Sequence, residues 1–192
     1  LFLFAYLQRG SRGSFRAPRR DLFICGLGVA IYHLTFFSAV QITGIAISTV
    51  TALGSVPTFS AIVAYFVLGE SPQKSWYLGT SVTVLGIILV GTANGVDSFK
   101  PLGLLLAAIA GLGFAVFSVI SRRSLSRGAQ DIWLTATSFG VAALFTSPFL
   151  FAQNPEWILT RDGGLSVLWL GLVPTAIGYF LFTFGLKRVD SS

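Results

Sequence analysis

Ile45–Leu68 reads IAISTVTALGSVPTFSAIVAYFVL, a run with no Asp, Glu, Lys or Arg. About 20 mostly apolar residues in a helix rising 1.5 Å each cross the ~30 Å hydrocarbon layer of a bilayer, so this run is long enough to span one. Working outward, five more segments qualify: Leu22–Val40, Trp76–Ala93, Leu102–Ile120, Ile132–Phe151 and Leu165–Leu186. A short apolar stub, Leu1–Leu7, precedes them. None of the six spans holds a charged residue. One such residue at a helix centre costs about 2.5–3.5 kcal/mol on insertion scales, so six clean spans point to lipid rather than to a soluble core. The chain is 54% hydrophobic and 10% charged, against about 25% charged in soluble domains. The expected fold class is all-α, a polytopic transmembrane helix bundle.

The charges fall between the spans. Arg9–Asp21, Gly69–Ser75, Ser121–Asp131 and the tail from Lys187 together hold eleven Lys and Arg residues, whereas Gln41–Gly44, Asn94–Pro101 and Ala152–Gly164 hold two, Lys100 and Arg161. This alternation places the Arg9–Asp21 and Ser121–Asp131 loops in the cytoplasm. The net charge of +6 is therefore read as a topology signal, and no nucleic-acid motif stands beside it. The five arginines from Arg9 to Arg20 add contact with anionic lipid as an expectation. The connections are too short for a soluble catalytic domain. The single cysteine, Cys25, supplies neither a disulfide framework nor a metal cluster. Without a phosphate-binding loop, pumping would draw on a gradient or another subunit. Both ends read as cut, so the chain is expected to be a fragment of a longer protein.

Shifting the sequence by 147 residues sets Tyr32-His33-Leu34 over Tyr179-Phe180-Leu181, and Phe37-Ser38-Ala39 over Phe184-Gly185-Leu186. Each aromatic-rich span ends in a short polar turn. An odd number of spans, five, separates the copies, so the second crosses in the opposite direction, as in an inverted-topology repeat. Chance likeness between apolar helices is the alternative.

A further pattern is Leu53-Gly54-Ser55-Val56-Pro57-Thr58-Phe59, then Val67-Leu68-Gly69-Glu70, Gln73, Trp76-Tyr77-Leu78-Gly79 and Leu85-Gly86-Ile87. It resembles the EamA-type repeat of the drug/metabolite transporter superfamily: an apolar helix with a mid-span proline, Leu-Gly-Glu at its inner end, and a Trp-x-x-Gly helix ending in Gly. The resemblance implies a ten-helix inverted-repeat transporter fold, of which this chain is a fragment. Residues 1–95 are then the C-terminal part of the first repeat, the end of the family's second helix and its third to fifth. Residues 96–192 are the N-terminal part of the second repeat, its sixth to eighth helices.

Pro57 sits mid-span and leaves the carbonyl of Leu53 without its helical donor. A broken helix near the midplane is where transporters bind substrate, though a tolerated kink is equally physical. Ser48, Thr51, Ser55 and Thr58 fall within about 80° of arc on the same helix. Their stripe reads as a cavity wall, the alternative being hydroxyls bonded back to their own helix. His33, the single histidine, lies near mid-span, where an ionisable group marks a substrate path or a titrating step. A neutral ring bonded to a neighbouring helix is the other reading. Tyr32 and its repeat equivalent Tyr179 are candidates for a shared central cavity, or for aromatic packing. The substrate-path candidates are thus Tyr32, His33, Thr51, Ser55, Pro57, Thr58 and Tyr179. Glu70, at the unfavourable end of its helix dipole with Lys74 four residues on, and Pro174 are read as structural or gating residues. Gly103, Ala107, Gly111 and Ala115 form a smooth face for close helix packing.

A secondary transporter is the leading expectation, and the resemblance makes it an exporter of metabolites or drugs. No catalytic residue, metal ligand or cofactor is expected, because one His, one Cys and no carboxylate within a span cannot assemble an enzyme site. A receptor or scaffold without transport is the competing class. The expected partners are a small-molecule substrate, the lipid bilayer and a second copy in a homodimer, with no nucleic acid. The expected location is a cell membrane, that of the bacterial cytoplasm.

Overall fold

The computed structural model describes residues 17–71, 74–93, 100–152 and 155–186. The stub Leu1–Leu7, Arg9, Arg12, Arg16 and Gln73 lie outside the described residues, as do most of Asn94–Pro101 and the tail from Lys187. The regular structure described is helical throughout: α1 Arg19–Thr43, α2 Ile45–Leu68, α3 Lys74–Ala93, α4 Pro101–Ser126, α5 Asp131–Ala152, a 3₁₀ turn Pro155–Leu159, α6 Arg161–Leu170, a π-helical segment Gly171–Ile177, and α7 Gly178–Leu186.

Four helical stretches among the described residues are long and apolar enough to cross a membrane: Arg19–Thr43, Ile45–Leu68, Pro101–Ser126 and Asp131–Leu150. The other two expected spans are also helical. Trp76–Ala93 falls within α3, while Leu165–Leu186 is divided by the π segment into pieces. The helices outrun the apolar runs at several ends. Thus α1 takes in Asp21 and α4 continues past Ile120 to Arg122, Arg123 and Ser124. Hydropathy loses sight of a helix where charge begins, but the backbone hydrogen-bond ladder does not depend on side-chain polarity.

The turn after α1 is tighter than the sequence suggests. Only Gly44 separates α1 from α2, and its φ of 81° is open to glycine without strain. Thr43 Oγ1 and Ser48 Oγ meet at 2.9 Å across this corner. At the other end of α2 the Gly69 amide donates to the carbonyl of Tyr65 at 3.1 Å, a left-handed glycine stop.

The described chain divides into two compact units. One holds Leu27–Ile120; the other holds the chain up to Gly26 and from Ser121 onward. In the first, Ala39, Ala52, Ala107 and Ala110 form the buried centre, with Tyr32, Phe36 and Leu106 against it. Small residues let backbones approach: a Cβ on Gly28 would meet the Gly113 carbonyl at 2.7 Å, and one on Gly113 would meet the Gly28 carbonyl at the same distance. The smooth face expected of α4 is buried at all four positions. In the second unit Ala17, Leu22, Leu125, Ala129 and Leu134 pack together. Beside them runs a buried polar seam. Ser124 Oγ donates to Asp21 Oδ2 at 3.2 Å, and Cys25 Sγ lies 3.6 Å from Ser121 Oγ.

Candidate functional site

The site candidates of the unit Leu27–Ile120 lie on α1, α2 and α4. Tyr32 is half-buried, stacked on Phe36 at 5.5 Å between ring centroids and inclined to Phe114 at 5.7 Å. The i, i+4 spacing of Tyr32 and Phe36 puts both rings on one face of α1. His33 is half-buried as well; its ring lies 5.4 Å from Tyr32 and 6.4 Å from Phe37. Phe114 continues the cluster to Phe117 at 6.2 Å. Six rings therefore meet around one stretch of α1 and α4, and only Tyr32 and His33 among them are candidates from the sequence. The signal available was the aromatic spacing 32, 33, 36, 37.

The hydroxyl stripe of α2 divides by depth. Ser48 is buried against Thr43. Ser55 Oγ donates to the Ala52 carbonyl at 2.9 Å, the back-bond that was the alternative reading, and it lies where a Cβ on Gly111 would fall. Thr58 Oγ1 reaches Thr80 Oγ1 on α3 at 3.4 Å. Thr51 is different: it is 6% exposed and, among the described residues, its Oγ1 has no hydrogen-bond partner. Burial of a hydroxyl that has no partner costs about 1–3 kcal/mol, so Thr51 is the member of the stripe with bonding capacity left over.

Pro57 is exposed, and its carbonyl accepts a 3.1 Å bond from the Trp76 indole at the start of α3. A shallow apolar groove of about 180 Å³ lies beside it, lined by Ala61, Ile62, Tyr65, Phe66 and Trp76. It contains none of the predicted path residues. Glu70 is exposed one residue beyond the Gly69 stop, outside the last helical turn. The side chain of Lys74, its expected partner, lies outside the described residues.

Tyr179 and Pro174 belong to the second unit. Tyr179 packs edge-on against Phe139 at 4.6 Å and Phe182 at 6.4 Å. Pro174 sits exposed inside the π segment, where Thr175 Oγ1 donates to the Leu170 carbonyl at 2.8 Å. Pro148 of α5 is served in the same way, with Ser147 Oγ donating to Leu144 at 3.0 Å. In each case the acceptor is the carbonyl four residues before the proline, the one its ring cannot serve.

Long apolar helices, close small-residue contacts and proline breaks with nearby hydroxyl back-bonds are the features of a multi-pass membrane protein. The chain belongs to the EamA-like transporter family, whose model matches residues 1–92 and again 101–192. It is 33% identical over 171 residues to the uncharacterized transporter YwfM of Bacillus subtilis, covering 89% of this chain and 57% of that protein. An uncharacterized transporter of Archaeoglobus fulgidus is 25% identical over 168 residues, 85% of this chain and 58% of its own. The aromatic amino acid exporter YddG of Ancylobacter novellus is 26% identical over 195 residues, 97% and 65% respectively. The chain thus spans a little over half the length of these relatives. No solved structure matches.

Proposed function

We propose that the protein is a secondary transporter that exports small metabolites or drugs by alternating access between two inverted repeats, residues 1–95 and 96–192 contributing to one each. The observation that carries this is the match of the transporter-family model to residues 1–92 and again to 101–192; Thr51, buried and without a hydrogen-bond partner among the described residues, precedes Ala52, which packs with Tyr32 and Phe36. A passing substrate with a polar group would supply that partner, and the rings would cover its apolar part. The double match of the family model supports the repeat. One relative is named an aromatic amino acid exporter, so compounds with an aromatic ring are the first to screen. Glu70 and Pro174 are assigned to holding or gating helix ends, and a homodimer remains part of the proposal.

The loop charges support an orientation in which Arg9–Asp21 and Ser121–Asp131 face the cytoplasm of a bacterial cell. The transporter names of the relatives favour a protein without enzymatic chemistry. The test is efflux from cells or vesicles holding the full-length protein. His33→Ala and Thr58→Leu are expected to reduce flux with unchanged membrane insertion; normal flux in both would remove these residues from the path. A receptor without transport predicts no polar route at mid-span. Cysteines placed at Thr58 and His33 in a Cys25→Ser background, probed with a water-soluble thiol reagent, separate the two.

A further inference from the structure

In the unit that holds Ala17–Gly26 and the chain from Ser121, the packing of Ala17 and Leu22 with Leu125, Ala129 and Leu134 brings the start of α1 to the end of α4. Four arginines are thereby gathered from positions a hundred residues apart. Arg19 and Arg20 are exposed on the first turn of α1, Arg127 is exposed just after α4, and Arg123 is half-buried in its last turn. The two carboxylates of the same end accept from other donors: Asp21 from the Ser124 hydroxyl, Asp131 Oδ1 from the Ile132 amide at 3.1 Å. One turn into α1 from Arg19 stands Phe23, 49% exposed.

We propose that this end of the unit is a binding surface for the phosphate headgroup of an anionic phospholipid. Guanidinium groups match phosphate oxygens with paired N–H donors, which a single topology-setting charge does not require. The arginines stand where the apolar spans of α1 and α4 end, which is where the headgroups of a bilayer crossed by these helices would lie. The exposed Phe23 ring, on the membrane side of the arginines, offers an acyl chain contact that a soluble anion would not use.

The experiment measures lipid association with the full-length protein in nanodiscs of phosphatidylcholine with and without phosphatidylglycerol, read by native mass spectrometry of co-purified lipid. The expected result is enrichment of phosphatidylglycerol around the wild type, weakening as salt rises, and a loss of about tenfold or more when Arg19, Arg20, Arg123 and Arg127 are all replaced by Gln. Replacement of the same four by Lys, which keeps the charge and removes the paired donors, is expected to give an intermediate loss, and Arg161→Gln, at the start of α6, to keep all of the enrichment. Wild type with no preference for the anionic lipid would overturn the proposal whatever the variants do. So would displacement of the lipid by inorganic phosphate at equal concentration, which would make the surface a site for a free anion. Where the fourfold Gln variant fails to insert, the pairs Arg19→Gln with Arg20→Gln and Arg123→Gln with Arg127→Gln are each expected to give a partial loss; full enrichment in both pairs would also overturn it.

Discussion

The hydroxyl of Thr175 donates a 2.8 Å hydrogen bond to the carbonyl of Leu170, the acceptor that Pro174 leaves without its usual helical donor. The backbone widens to π spacing over Gly171–Ile177, which makes residue 175 the backbone partner of residue 170 as well. Thr175→Val is therefore expected to cost about 1 kcal/mol in the presence of Pro174. With Pro174→Ala, an amide returns at position 174 and the same substitution is expected to cost little. Thermal unfolding midpoints of the four variants in detergent check this, and equal costs in both backgrounds would remove the link between proline and hydroxyl.

The Gly28–Gly113 contact is backbone against backbone, so neither side can yield to a new methyl group. Gly28→Ala and Gly113→Ala are each expected to destabilise by about 1–3 kcal/mol. Gly79→Ala and Gly86→Ala, where a Cβ meets nothing within 4 Å, are expected to be neutral or slightly stabilising through helix propensity. The yield of monodisperse protein and its unfolding midpoint rank the four.

Ser124→Ala takes away the hydroxyl that Asp21, 6% exposed, accepts from. A nearly buried carboxylate deprived of this donor is expected to cost about 1–3 kcal/mol, more than Ser126→Ala at the exposed end of α4. Comparison of the two by chemical unfolding in detergent tests whether the polar seam holds the ends of α1 and α4 together.

Thr51→Val keeps the shape of a buried side chain and removes a hydroxyl that lacks a partner. The fold is expected to be unaffected or more stable by up to about 1 kcal/mol, because an unmet polar group has been removed. Flux of a transported substrate is expected to fall severalfold. A loss of stability instead would mean that the hydroxyl is bonded within the fold, and normal flux would take Thr51 out of the substrate path.

Helix class and the apolar runs were legible in the sequence because lipid imposes a one-dimensional rule: backbone polar groups bond within the helix, and charged side chains stay out of the apolar layer. The packing face Gly103, Ala107, Gly111, Ala115 was legible for a similar reason, since a repeat of four on a helix marks one side. The ring cluster was half legible. Tyr32 and His33 stood out, but Phe36, Phe114 and Phe117 looked like any apolar residue until α1 and α4 were brought together.

The sequence by itself determined that the chain is a bundle of membrane-crossing helices, and its motif pointed to the transporter family, because hydropathy and short motifs are properties of consecutive residues. Only the tertiary structure decided which polar groups are satisfied. It pairs Asp21 with Ser124, 103 positions apart, turns Ser55 back onto Ala52, and leaves the Thr51 hydroxyl buried without a partner among the described residues. Such differences among chemically similar hydroxyls arise from which neighbour lies within 3 Å, and that distance is fixed by helix packing rather than by order along the chain.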